Sequence, residues 1–185
     1  MAEGPADVLD FWFVDHGAGD WFGKDPRFDA LIADRFGRTV ARACAGGLAG
    51  WAGSAEEMLA QTIVLDQFPR NIHRGSRHAY AGDSNALPLA RRAASEGIGA
   101  GWPLERLLFL WMPLMHSEGL ADQERCVALL APFAGGEMGG KAYESALRHC
   151  EIVARFGRFP HRNAILGRAG TAEEVAFLTE PNSSF

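Results

Sequence analysis

Two segments roughly ninety residues apart nearly repeat each other: Phe68-Pro69-Arg70-Asn71-Ile72 and Phe159-Pro160-His161-Arg162-Asn163-Ala164-Ile165. Each sets a guanidinium and a carboxamide just after a Phe-Pro pair, and the second adds an imidazole. Arginine, histidine and asparagine together are suited to gripping a carboxylate or a phosphate, because forked, charge-assisted donors match planar or tetrahedral oxyanions. Carboxylates lie close by in sequence: Asp66 one turn before Arg70, and Glu118 two residues after His116. Asp66, Arg70, Asn71, His116, Glu118, Arg158, His161, Arg162 and Asn163 are therefore the candidate ligand-binding residues. The echo between the segments suggests that both turns serve one polar pocket. In a structural reading the same groups brace helix ends, with Asp66 paired to Arg70, Arg158 or Arg162. In an enzymatic reading His116 or His161 is the acid–base group of a small hydrolase or lyase, oriented by Asp66 or Glu118.

The basic groups come in two runs, Arg70, His73, Arg74 and Arg77, then Arg155, Arg158, His161 and Arg162. Such runs repel themselves unless acids or a bound anion separate them, and Asp66, Glu118 and Asp122 are the internal acids available. Other templates fail. There is no Gly-x-Ser-x-Gly elbow and no phosphate-binding glycine loop. Ser117 is beside His116 in sequence, which establishes no hydrogen bond between them. The two-histidine helical zinc motif is absent and no second histidine lies within eight residues of His116, so neither a metal nor a cofactor is expected. Cys44, Cys126 and Cys150 are odd in number and widely spaced, which describes small core residues rather than a disulfide framework.

The 185 residues are 48% hydrophobic and 22% charged, ordinary globular values that suit one domain spanning 1–185. A net charge of −5 argues against a nucleic-acid partner. The segment Leu107–Met115 is too short to span a bilayer, so no membrane partner is expected. The start, Met1-Ala2-Glu3-Gly4-Pro5, lacks the layout of a signal peptide, so a cytoplasmic location is expected. Only Lys24 and Lys141 among 18 basic residues are lysines, and arginine is the better residue for fixed bidentate contacts.

The elements that must position these groups are helices. Pro5 or Asp7 opens a first run through Phe13. Asp25-Pro26 is a cap followed by a helix-starting proline, and the helix stops at Gly46-Gly47. Ser54 and Glu57 form a capping box for a helix that Phe68-Pro69 is expected to end. Asp83 starts a helix that closes at Gly97, and Pro103 another, apolar on every side and hence central, with a kink or early end at Pro113. Asp122–Leu130, a long helix ending near Gly157, and a helix capped by Thr171 and Glu174 complete about eight. The Gly135–Gly140 stretch reads as a flexible loop, and His116 as a C-terminal cap of its helix. No stretch alternates at period two, so the chain is all-α. Phe11, Trp12, Phe13, Trp21 and Phe22 crowd the N-terminal region, either folded back over the core or exposed to bind a protein partner or a second copy of the chain.

At Leu65-Asp66-Gln67-Phe68-Pro69-Arg70-Asn71, Met112-Pro113-Leu114-Met115-His116-Ser117-Glu118 and Arg155-Phe156-Gly157-Arg158-Phe159-Pro160-His161-Arg162-Asn163 the chain resembles the bacterial family known as domain of unknown function 924. The likeness runs from Val8-Leu9-Asp10-Phe11-Trp12-Phe13 to Pro181-Asn182-Ser183-Ser184-Phe185. It implies a TPR-like fold of stacked helix pairs and carries no activity or catalytic residue. The 34-residue TPR pattern is not readable here, and the helix pairs differ in length, so a compact, degenerate TPR-like array is expected rather than an open solenoid. The leading expectation is a helical binding module with an Arg/His/Asn pocket for a small anion; the alternatives are the small enzyme and a TPR-like interaction scaffold.

Overall fold

The computed structural model of the protein describes residues 3–51 and 53–184. Among these residues every regular element is helical: α1 Pro5–Asp10, α2 Ala18–Trp21, α3 Pro26–Cys44, α4 Ala55–Ile72, α5 Asp83–Glu96, α6 Leu104–His116, α7 Leu120–Leu130, α8 Glu137–Phe156, α9 Asn163–Leu166 and α10 Ala172–Phe177. A π-helical turn, Phe11–Asp15, follows α1, and short 3₁₀ turns cover Arg77–Tyr80 and Pro160–Arg162. No described helix is long and apolar enough to cross a membrane. The chain forms two compact units, one running to Pro113 and the other from Leu114.

Most helix starts follow the local chemistry of the sequence. Asp25 accepts the Arg27 N–H ahead of Pro26, and Ser54/Glu57 and Thr171/Glu174 close reciprocal capping boxes. Gly97 and Gly157, both in the left-handed region, end α5 and α8. The residues from Leu107 to Leu110 on α6 are buried, as are Trp111, Met112, Leu114 and Met115, in keeping with a helix that has no polar face.

In the first unit α4 packs against α1, α3 and α5. Its core is aromatic: the rings of Phe11, Phe36 and Phe68 meet at centroid distances of 4.9–6.2 Å. Trp12 joins them, edge-on to both Phe68 and Phe109. Phe11 and Trp12 are thus folded into the core, while Phe22 remains 57% exposed. In the second unit α7 packs on α8, and Ile152, Val153, Phe159 and Phe177 form a buried cluster with Phe156 against it. Cys126 is buried there, its thiol pushed up to about 12, first by desolvation and then by Cys150.

Three local expectations need correction. Helix α4 does not end at Phe68-Pro69 but continues to Ile72 with Pro69 inside it. Proline has no N–H for the carbonyl four residues back, so the Leu65 oxygen is released from the ladder. The Gly82 backbone comes so close there that a Cβ at 82 would lie 2.0 Å from this oxygen. In the second motif the break precedes the Phe-Pro pair: Gly157 ends α8, and Pro160 begins a 3₁₀ turn that leads into α9. Helix α6 likewise runs through Pro113 to His116 rather than ending early. Finally, Gly139 and Gly140 are helical, not loop. At Gly139 a Cβ would sit 1.9 Å from the Phe133 oxygen, so the glycine serves close packing.

Gly82→Ala is expected to destabilise the protein by about 1–3 kcal/mol, the range for forcing an extra carbon into a packed site. Urea unfolding measures it. Stability unchanged within about 0.5 kcal/mol would show that Gly82 is not held against α4.

Candidate functional site

The residues of the first Phe-Pro motif lie in the first unit. Asp66 is buried, and its Oδ1 is 3.2 Å from Arg70 Nη1. Gln67 Nε2 donates to Asp66 Oδ2 at 2.6 Å and also approaches Met112 Sδ at 3.0 Å. Arg70 reaches further: Nη1 donates to the Asp66 carbonyl at 2.6 Å, and the guanidinium forks onto Asp83 at 2.8 and 3.0 Å. Of the three arginines considered for Asp66, the structure pairs it with Arg70. Asn71 Nδ2 donates to Asp29 Oδ1 at 2.8 Å, and Arg74 grips the same carboxylate while donating to the Gly23 carbonyl. The acids that separate this basic run are therefore Asp66, Asp83 and Asp29.

The candidate residues of the other two motifs, from His116 onward, lie in the second unit. Glu118 accepts a bidentate pair from Arg168 at 2.7 and 2.9 Å, and the Phe159 N–H at 2.8 Å. Burial pushes this carboxyl up, but the Arg168 hydrogen bonds, the Phe159 amide and the charges of Arg168 and Arg162 outweigh it and hold the group below its ordinary range. Arg168 also donates to Asn163 Oδ1 at 3.0 Å and to the Phe159 carbonyl at 3.2 Å. Arg158 forks onto Glu174 at 2.6 and 2.8 Å and donates to the Ala169 carbonyl. Asp122, one of the acids expected to serve the arginines, accepts the Ser117 hydroxyl at 2.6 Å. Ser117 is thus turned to Asp122, and Ser–His pairing gains no support.

Arg162 is 7% exposed, lies 4.4 Å over the Phe159 ring, and donates from Nη1 to the His116 carbonyl at 3.0 Å. The capping at this helix end comes from Arg162 acting on the His116 backbone, together with Gln123, whose Nε2 donates to the Met115 and Ser117 carbonyls. The His116 ring is 6.5 Å from that of His149 on α8. His149 Nδ1 lies 2.7 Å from the Ser145 carbonyl, which can only accept, so Nδ1 carries the proton. Burial, then the neighbouring His116, Arg162 and His161, push His149 down to about 3, against the Ser145 hydrogen bond. His161 is half-buried, 5.6 Å from the Phe159 ring. Burial first, then Arg162, Arg168 and His116, bring it down to about 4 despite the opposing charge of Glu118. Both imidazoles are neutral at pH 7.

The second unit thus gathers His116, Glu118, His161, Arg162 and Asn163 around Phe159, and it sets Arg158 to hold α10. Four residues of this region were not among the candidates. Gln123 gave no local signal. Arg168 follows the helix-ending Gly167. Glu174 was visible as a capping-box acid. His149 was legible as a polar residue on the face that also carries Ala142, Ala146 and Ile152. Among the described residues no three His, Cys, Asp or Glu side chains are arranged to hold a metal ion.

A family model for a bacterial protein of unknown function, DUF924, matches residues 8–182. The chain is similar to a solved structure of a protein of unknown function from Agrobacterium tumefaciens, with a TM-score of 0.85 and 40% sequence identity over 94% of this chain and 96% of the other. Among curated proteins none matches the chain.

Two outcomes test this electrostatic arrangement. Arg70→Ala leaves Asp66 buried without its guanidinium and is expected to cost about 3–5 kcal/mol in urea unfolding, the range for breaking a buried pair; a loss under about 0.5 kcal/mol would show that the pair is solvated. Stability should also fall with acid in two windows. His149 and His161 are depressed below the ordinary 6.5, to about 3 and about 4, so the unfolded chain takes up protons first and stability declines as pH drops below 6.5. Glu174, held at about 2 by the Arg158 hydrogen bonds and then the Thr171 amide, contributes fully above its ordinary 4.5 and loses that contribution toward pH 2. Glu174→Gln should reduce the loss in the second window, to which Glu118 also contributes, and leave the first unchanged.

Proposed function

The chain belongs to the bacterial DUF924 family of unknown function, and for this member we propose a cytoplasmic helical module that binds a small anion, a carboxylate or phosphate, where His116, His161 and Arg162 meet in the second unit. The observation that carries this reading is a cluster of buried and half-buried donors on one stretch of chain. Glu118 feels two guanidiniums, Arg168 in a bidentate pair and Arg162 through its charge. Arg158 is matched separately by Glu174. A half-buried histidine and the buried arginine whose charge depresses it form an environment that an oxyanion stabilises. Glu118 gives both of its oxygens to Arg168, which favours this binding role over the orientation of an acid–base histidine in a hydrolase or lyase.

Anion binding here has a proton signature. An anion beside His161 favours the imidazolium, so the complex takes up a proton and affinity rises as pH falls from neutral toward 4. A thermal-shift screen of phosphate and small mono- and dicarboxylates at pH 6 and pH 8 is the test. A binder at about 100 times its dissociation constant adds roughly 2.7 kcal/mol of stability. His161→Ala should keep the fold and weaken binding at least about tenfold, or roughly 1.4 kcal/mol. Arg162→Lys should weaken it as well, since an ammonium cannot fork. A screen with no stabilising anion, or hits that bind the His161→Ala variant equally well, would remove the reading.

A further inference from the structure

In the first unit, the segment that follows α4 presents two imidazoles outside the anion site described above. His73 closes α4, its N–H bonded to the Pro69 carbonyl at 2.9 Å. Gly75, at φ +71°, reverses the chain, and the Ser76 N–H returns to the His73 carbonyl at 3.0 Å. Ser76 then caps the 3₁₀ turn Arg77–Tyr80, accepting the His78 N–H at 3.2 Å. The result brings the His73 and His78 rings to a centroid distance of 5.7 Å, both exposed. The turn is anchored on two sides: Arg74 is clamped to Asp29 and Gly23, and Ala79 is buried.

From this geometry we infer that His73 and His78 form a two-histidine site for a divalent late transition-metal ion, Zn²⁺, Ni²⁺ or Cu²⁺, with water completing the shell. Zinc–nitrogen bonds of about 2.0–2.1 Å place the ion roughly 3.2 Å from each ring centre, so rings sharing one tetrahedral ion lie roughly 5–5.5 Å apart. The observed separation closes to that with a small rotation of either exposed ring. Imidazole nitrogen is a preferred donor for these ions and a poor one for Mg²⁺ or Ca²⁺. A second observation supports a ligand role: Ser76 Oγ lies 3.1 Å from His78 Nδ1. When Nδ1 carries the proton and donates to this hydroxyl, Nε2 is left free for a metal, the usual outer-shell arrangement of ligating histidines. Arg74 in the turn is neutralised by Asp29, while Arg77 stays exposed and makes the site weaker than a carboxylate-supported one.

The test is a titration of the full-length chain with Zn²⁺ at pH 7.5, read by the side-chain NMR signals of all six histidines and by isothermal calorimetry. The His73 and His78 signals should move together with 1:1 stoichiometry. His73→Ala and His78→Ala should each weaken binding at least tenfold, and Ser76→Ala about tenfold, with helical circular dichroism unchanged because all three lie in a surface turn. The assignment is overturned if zinc leaves this pair unmoved, if it shifts His116, His149 or His161 instead, or if either alanine variant binds as before. Inorganic phosphate shifting the same pair in the absence of zinc would mark the turn as an anion patch and overturn it equally.

Discussion

Buried helix ends must find hydrogen-bond partners for carbonyls and amides that the helix itself leaves over, and in this chain the forked side chains of the motif regions supply many of them. Arg162 donates to the carbonyl at the end of α6, and Gln123 donates to two more beside it. Arg168 donates to Phe159, Arg158 to Ala169 and Arg70 to Asp66. Glu118 works from the opposite polarity, accepting the Phe159 amide. An ammonium has no comparable fork, and this use of guanidinium fits a chain with two lysines among 18 basic residues.

A guanidinium that caps a carbonyl keeps its charge, so each such cap demands an acid nearby. In the first unit Asp66, Asp83 and Asp29 answer Arg70 and Arg74. In the second, Glu174 answers Arg158 and Glu118 answers Arg168. Arg162 is placed by a carbonyl and an aromatic face as well as by charge, and it leaves its mark on the surrounding imidazoles. His149 and His161 are held neutral by burial and by the positive charges beside them. The guanidiniums that close the helix ends thus also depress the imidazoles beside them.

The two Phe-Pro segments show how one short pattern serves different local purposes. Pro69 is accommodated inside α4, where the carbonyl it releases meets the Gly82 backbone. Pro160 opens a turn, where a missing N–H is no loss. Likeness of sequence gave both an arginine and an asparagine after the proline, one residue later in the second segment because His161 intervenes. The surroundings decided whether the proline sits inside a helix or begins a turn.

Capping boxes at Ser54 and Thr171, the Asp25-Pro26 start and the glycine stops at Gly97 and Gly157 were all legible along the chain, because each acts within about one helical turn. The all-helical class and the burial of α6 followed from periodicity for the same reason. The burial of Asp66 and its pairing with an arginine were also legible, since a carboxylate on an apolar face requires a partner. What the sequence could not determine was the choice among partners at long range. Arg168 meets Glu118 across fifty residues and Arg74 meets Asp29 across forty-five, and His149 comes to lie beside His116 from another helix. A forked cation accepts any carboxylate that packing brings within reach. Tertiary structure alone decided which acid each arginine took, and with it which imidazoles came to lie beside a guanidinium.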